Sequence, residues 1–134
     1  MVCNTVKVTR HAEYNLNYHV VWISKSRNPV LTGEVASRVR TILREIADEK
    51  GLEIPDLTVQ PNHIHLFVSN PPKHALSLLA NWLKGISSRK YNHRYADHNG
   101  DKIGWERGYY AGAAGDVSSG TVQNYIQGRG EDES

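Results

Sequence analysis

Only Pro61 and Asn62 separate two segments that both read as β-strand, and so short a link obliges the two strands to lie side by side and antiparallel. The second of them, His63 to Ser69, alternates cleanly: Ile64, Leu66 and Val68 point one way, His63, His65 and Phe67 the other. The first, Leu52 to Gln60, carries Leu52, Ile54, Leu57 and Val59 and is broken by Pro55, which has no N–H to give a sheet ladder. A chain with this hairpin at its middle builds a sheet that turns one face inward and offers different chemistry on the other.

The remaining elements follow from periodicity. Tyr14 to Ile23 reads as a strand, rich in aromatic and β-branched residues (Tyr18, Val20, Val21, Trp22, Ile23). From Glu34 to Lys50, Val35, Val39, Ile42, Leu43, Ile46 and Ala47 recur at helical spacing, with Thr32 as cap and Gly51 as stop. Helical spacing returns from Ala75 to about Tyr95 through Leu76, Leu79, Leu83 and Ile86. Asp97 to Gly108 is a polar loop, Tyr109 to Gly115 a short strand, and Ser118 or Ser119 caps a last helix that runs through Gln127 and stops at Gly128 and Gly130. The order is that of an α+β ferredoxin-like sandwich: βαββαβ, an antiparallel sheet with two helices on one face, plus a C-terminal helix carrying Tyr125. The other face is then open, and His63 and His65 stand on it.

At 134 residues the chain suits one domain, 1–134, with a core at about 14–129, a flexible arm at 1–13 and a flexible acidic tail at 130–134. Apolar residues at 39% and charged residues at 22% describe a folded protein rather than a disordered one. The net charge of +2 says less than its distribution. Lys84, Arg89, Lys90 and Arg94 cluster with Trp82, Tyr91 and Tyr95, which reads either as a solvated helix face or as a surface for single-stranded nucleic acid. Cys3 is the only cysteine, which excludes an intrachain disulfide and a cysteine-rich metal cluster and points to a reducing, cytoplasmic setting. No apolar run approaches the roughly 20 residues that cross a bilayer, and no basic-then-apolar leader opens the chain, so membrane and export classes drop out.

Residues i and i+2 of a strand project from one face about 6.5–7 Å apart, near enough for two imidazoles to converge on one cation. His63-Ile64-His65 has that pattern, although two solvated surface histidines would share it. No Gly-x-Ser-x-Gly elbow or phosphate-binding glycine loop is present. Tyr125, between Val122 and Ile126, is either a ring at the edge of the core or a nucleophile.

Gln60-Pro61-Asn62-His63-Ile64-His65-Leu66-Phe67-Val68-Ser69 resembles the signature of the IS200/IS605-type tyrosine transposases, which are HUH endonucleases. Tyr18-His19-Val20-Val21-Trp22 resembles that family's opening strand, and Leu83-Lys84-Gly85-Ile86-Ser87-Ser88-Arg89 its second helix. The stretch from Gly108-Tyr109-Tyr110 through Gly115-Asp116-Val117-Ser118 to Val122-Gln123-Asn124-Tyr125-Ile126 is similar to the segment bearing its nucleophilic tyrosine. The likeness spans about Tyr14 to Arg129.

The resemblance implies a single-strand-specific DNA transposase. Tyr125 is then the catalytic residue, His63 and His65 hold a divalent metal ion (Mg²⁺ or Mn²⁺), no nucleotide cofactor is needed, and the chain works as a homodimer on single-stranded DNA with hairpin ends. It further implies that the tyrosine helix of one subunit serves the histidines of the other. Lys84, Arg89, Lys90 and Arg129 are the candidates for DNA contact. The sequence departs from the family at Arg129, where a glutamine four residues after the tyrosine usually supplies a third metal ligand; a guanidinium has no lone pair to offer. Gln127 substitutes only if Gly128 lets the helix unwind. Ser26 is a smaller departure, at a place where the family often has an aromatic residue. Two further classes follow: a catalytically impaired relative that binds DNA hairpins, and, behind it, a ferredoxin-like RNA-binding module, whose exposed sheet would present stacking rings where histidines stand here.

Overall fold

The structure, a computed structural model, describes residues 16–71, 73–96 and 101–113. The N-terminal arm, the acidic tail and the last helix with Tyr125, Gln127 and Arg129 lie outside the described residues. Strand β1 (Leu16–Ile23) is followed by a 3₁₀ turn (Lys25–Arg27), helix α1 (Gly33–Lys50), strands β2 (Glu53–Gln60) and β3 (His63–Asn70), a long helical run, and strand β4 (Tyr110–Ala113). The strands form one sheet in the order β2-β3-β1-β4, every pairing antiparallel. That is the ferredoxin-like order the sequence leads one to expect.

Helix α1 forms because its apolar stripe has something to cover: Val39, Ile42, Leu43, Ile46 and Ala47 are buried. Gly51 ends it in a left-handed conformation (φ 71°), with Leu52 N–H returning to Ala47 O at 2.8 Å and Gly51 N–H to Asp48 O at 3.4 Å. Glycine adopts this conformation at no steric cost, and the two bonds satisfy carbonyls that the helix end would otherwise leave bare. Thr32 sits at the N-cap in an extended conformation without a side-chain cap bond.

The second helical run departs from a plain α-helix. Helix α2 (Leu76–Asn81) widens into a π turn (Trp82–Ile86), resumes as α3 (Ser87–Tyr91) and widens again (Asn92–Ala96). A wide turn loosens carbonyls, and here Lys84 O accepts from Ser87 Oγ at 2.9 Å, Ser88 Oγ at 3.3 Å and Trp105 Nε1 at 2.9 Å. Leu79, Leu83 and Tyr91 still reach the core, where they meet Val20, Trp22, Ile64, Leu66, Val68 and the α1 stripe.

Three expectations need correction. Pro55 does not break β2; the strand continues through it, with a register shift between Glu53 and Asp56. β2 is an edge strand, so a residue without N–H is accommodated by a local bulge. Nor is the second sheet face bare: Val21 and Ile23, which share it with His63 and His65, are fully buried. Val21 lies in register between Tyr110 and His65, and Ile23 beside His63, so aliphatic side chains of the central strand sit among larger rings. The segment before β4 is also less free than a polar loop suggests. Lys25 N–H bonds Gly104 O at 3.0 Å, Glu106 N–H bonds Ile23 O at 2.8 Å, and the Trp105 ring meets Trp22 edge-on at 5.8 Å. Among the described residues no helix is long and apolar enough to cross a membrane.

Candidate active site

The pleat of β3 sends Ile64, Leu66 and Val68 into the core and leaves His63 and His65 half-buried on the opposite face. Their polar partners lie in opposite directions along the strand. His63 Nδ1 is 3.0 Å from Asn62 Oδ1, at the turn, which leaves Nε2 free of that bond. His65 Nε2 is 3.1 Å from His19 Nδ1 on the neighbouring strand. His19 stands opposite Phe67, one diagonal step from His65, and its ring tilts against Phe67 with centroids 5.0 Å apart.

Burial disfavours the charged form of both histidines. The pKa of His63 is held below the usual imidazole value, first by burial and then by the charge of His65. That of His65 is lowered by burial and by His19, with the Asp56 carboxylate pulling the other way. Asp56 pairs with Phe67 across β2 and β3, and so stands on the histidine face. Neutral imidazoles present lone pairs, the form in which histidine binds metals. Among the described residues no group of three His, Cys, Asp or Glu side chains is arranged for an ion, so a cation here draws on two imidazoles and whatever joins them.

Among the described residues, most of the basic residues singled out from sequence have partners of their own. Lys84 Nζ bonds Glu106 O at 2.9 Å and Gly108 O at 2.6 Å, fastening the helix to the segment that leads into β4. Lys90 pairs with Glu49 at 2.8 Å and Glu45 at 3.4 Å on α1, and Arg94 with Glu45 at 2.8 Å. Arg89 is exposed. Tyr125, Gln127 and Arg129 fall outside the described residues.

His19 is the site residue that sequence reasoning passed over, although Tyr18-His19-Val20 was noted as a motif. Its signal was parity. In β1 the core residues are Val20 and Trp22, which puts His19 on the histidine face, and the ferredoxin-like order makes β1 the neighbour of β3.

Comparison with known proteins converges. A family model described as "Transposase IS200 like" matches residues 12–129. The ISDra2 transposase TnpA of Deinococcus radiodurans is 34% identical over 131 residues, covering 96% of this chain and 94% of that protein. The transposase for insertion sequence element IS200 of Salmonella typhimurium is 31% identical over 124 residues, covering 90% of this chain and 81% of that one. Among solved structures, a transposase from Deinococcus radiodurans superposes with a TM-score of 0.83 at 31% identity, covering 92% of this chain and 97% of that one. A REP-associated tyrosine transposase bound to a REP hairpin shares the fold, with a TM-score of 0.56 at 14% identity over 94% of this chain and 74% of that one.

Proposed function

Because the chain belongs to the IS200-like transposase family, we propose that it cleaves and rejoins single-stranded DNA at hairpin-marked element ends, with Tyr125 as nucleophile and His63 and His65 holding a divalent cation. One observation carries the reading: two half-buried imidazoles, both with a lowered pKa, stand side by side on the sheet face opposite the one that packs on α1.

The donor set fits a divalent ion of the Mn²⁺ or Mg²⁺ kind. His63 has its Nδ1 held by Asn62, so Nε2 is the nitrogen it offers. Two imidazoles with few protein oxygens suit Mn²⁺ at least as well as Mg²⁺, which favours oxygen. When bound, the cation would neutralise phosphate charge and polarise the phosphorus toward attack. The chain's own part is nucleophilic. A phenol near pKa 10 is a modest nucleophile at neutral pH, so Tyr125 depends on that polarisation. Its oxygen forms a bond to phosphorus as it gives up its proton, the bond from phosphorus to the 3′-oxygen breaks, and that oxygen leaves as a 3′-hydroxyl. The 5′-phosphotyrosine keeps the bond energy for rejoining, so no nucleotide cofactor is called for.

The test is a covalent adduct. Purified protein with Mn²⁺ or Mg²⁺ is expected to become joined to a single-stranded hairpin oligonucleotide, seen as a shifted band on a denaturing gel. Tyr125→Phe abolishes the band, and His63→Ala abolishes it without unfolding the protein. Arg129, in the position where a third ligand is usual, favours a second reading: a relative that binds hairpins without cutting. Wild-type protein that binds the oligonucleotide and never joins it would establish that reading instead.

A further inference from the structure

The turn that follows β1 is held in an unusual backbone conformation. Ser26 and Arg27 are neighbours, neither is glycine, and both are left-handed (φ 57° each). Such a turn persists only where its surroundings hold it, and backbone of this kind gathers at ligand clamps. Here the Glu106 carboxylate accepts from Ser26 N–H, and Lys25 N–H bonds Gly104 O at 3.0 Å. Between the turn and the 102–104 segment lies a groove of about 470 Å³, within the range of pockets that hold small ligands.

Two cations edge the groove. Lys25 and Lys102 are exposed, and among the described residues neither ammonium pairs with a carboxylate, in contrast to Lys90 and Arg94. The wall is apolar in part, lined by Val30 and Ile103. Ile103 is fixed at its N–H and its C=O by the Asn92 amide, at 2.8 and 3.1 Å. Gly104 leaves the space open, since a Cβ there would lie 3.7 Å from the Lys25 stem. Cations at the rim and an apolar wall match a single nucleic-acid strand, whose phosphates are anionic and whose unpaired bases offer flat apolar faces. The loop is also tied to the histidine strand: Ser24 N–H bonds Asn62 O at 3.0 Å and Leu31 N–H bonds Pro61 O at 2.9 Å, gripping the turn that opens into His63. We propose that this groove binds the single-stranded flank of a hairpin DNA substrate, with Lys25 and Lys102 on its phosphates. This rests on the reading of the chain as a single-strand transposase.

The experiment follows binding of the full-length protein to a fluorescent hairpin oligonucleotide with a single-stranded flank, by anisotropy across a NaCl series. Lys25→Ala and Lys102→Ala are each expected to lower the slope of log affinity against log salt by about 0.7, the share of one single-strand phosphate, and the double variant by about 1.4. Gly104→Leu changes no charge but fills the groove, and is expected to weaken binding as the double variant does. Lys73→Ala, at an exposed lysine beyond the other end of β3, leaves affinity and slope unchanged. On the hairpin without its flank all the variants bind like wild type. Lysine variants that keep the wild-type slope overturn the proposal, as do a Gly104→Leu protein that binds like wild type and losses of equal size with and without the flank. Wild-type binding and Tyr125 adduct formation then leave the transposase reading intact, whereas wild-type protein that binds no single strand overturns both. Should Gly104→Leu lose its fold by circular dichroism, the two exposed lysines compared with Lys73 decide.

Discussion

An imidazole binds a cation only through an unprotonated nitrogen, so what matters at His63 and His65 is which way the fold pushes their titration. Both are pushed below the ordinary value of 6.5, mainly by burial, with His65 charge adding at His63 and His19 charge at His65. The unfolded chain therefore takes up these protons first as pH falls. The stability at stake is fully present above about pH 6.5 and is lost as pH drops through the folded values. Thermal melts of the metal-free protein are expected to show a falling midpoint between about pH 7 and about pH 5, with a smaller fall when His63 and His65 are both glutamine. A midpoint flat across that range, or equally steep in the double variant, would contradict this account. At this scale sequence reasoning saw His63 and His65 through their alternation and passed over His19, because its partner lies 46 residues away and meets it only through strand register.

Elements are held by contacts that helical periodicity does not announce. Lys84 shows this: on the helix surface it looks like a DNA-contacting cation, yet its ammonium is bound to the carbonyls of Glu106 and Gly108. Lys84→Met keeps the aliphatic stem and removes both bonds, and is expected to lower stability in urea unfolding by about 1–3 kcal/mol. Lys90→Met, whose partners Glu45 and Glu49 are solvent-facing, should barely move the curve. Equal midpoints for Lys84→Met and wild type would mean that its bonds to Glu106 and Gly108 add nothing to stability. The α1 helix was legible because Val39, Ile42, Leu43 and Ile46 repeat at one spacing and all of them end up buried. The π turns were not, since Leu79, Leu83 and Ile86 fit an unbroken helix, and what distinguishes the wide turn is where Trp105 Nε1 finds an acceptor. Pro55 was misread because its effect depends on whether β2 is central or at an edge, which belongs to the sheet and not to the strand.

At the scale of the molecule, the sheet divides the labour. Its helix-covered face holds the chain together through Trp22, Ile64, Leu66 and Val68, and its other face carries His19, His63 and His65. The proposed nucleophile, Tyr125, belongs to the C-terminal part of the sequence, and in the proposed homodimer it would serve the histidines of its own subunit or those of the partner. Mixing two inactive proteins separates the cases. In a heterodimer of Tyr125→Phe and His63→Ala, a tyrosine that crosses between subunits pairs the intact Tyr125 of one chain with the intact histidines of the other, restoring one of two sites. A tyrosine that stays with its own subunit restores none. With random exchange at equal amounts, adduct formation is expected to return to about a quarter of the wild-type yield. The DNA should be attached only to the His63→Ala chain, which a size tag on one variant resolves on a denaturing gel. No adduct at any mixing ratio, from proteins shown by light scattering to have exchanged subunits, would mean that each subunit completes its own site.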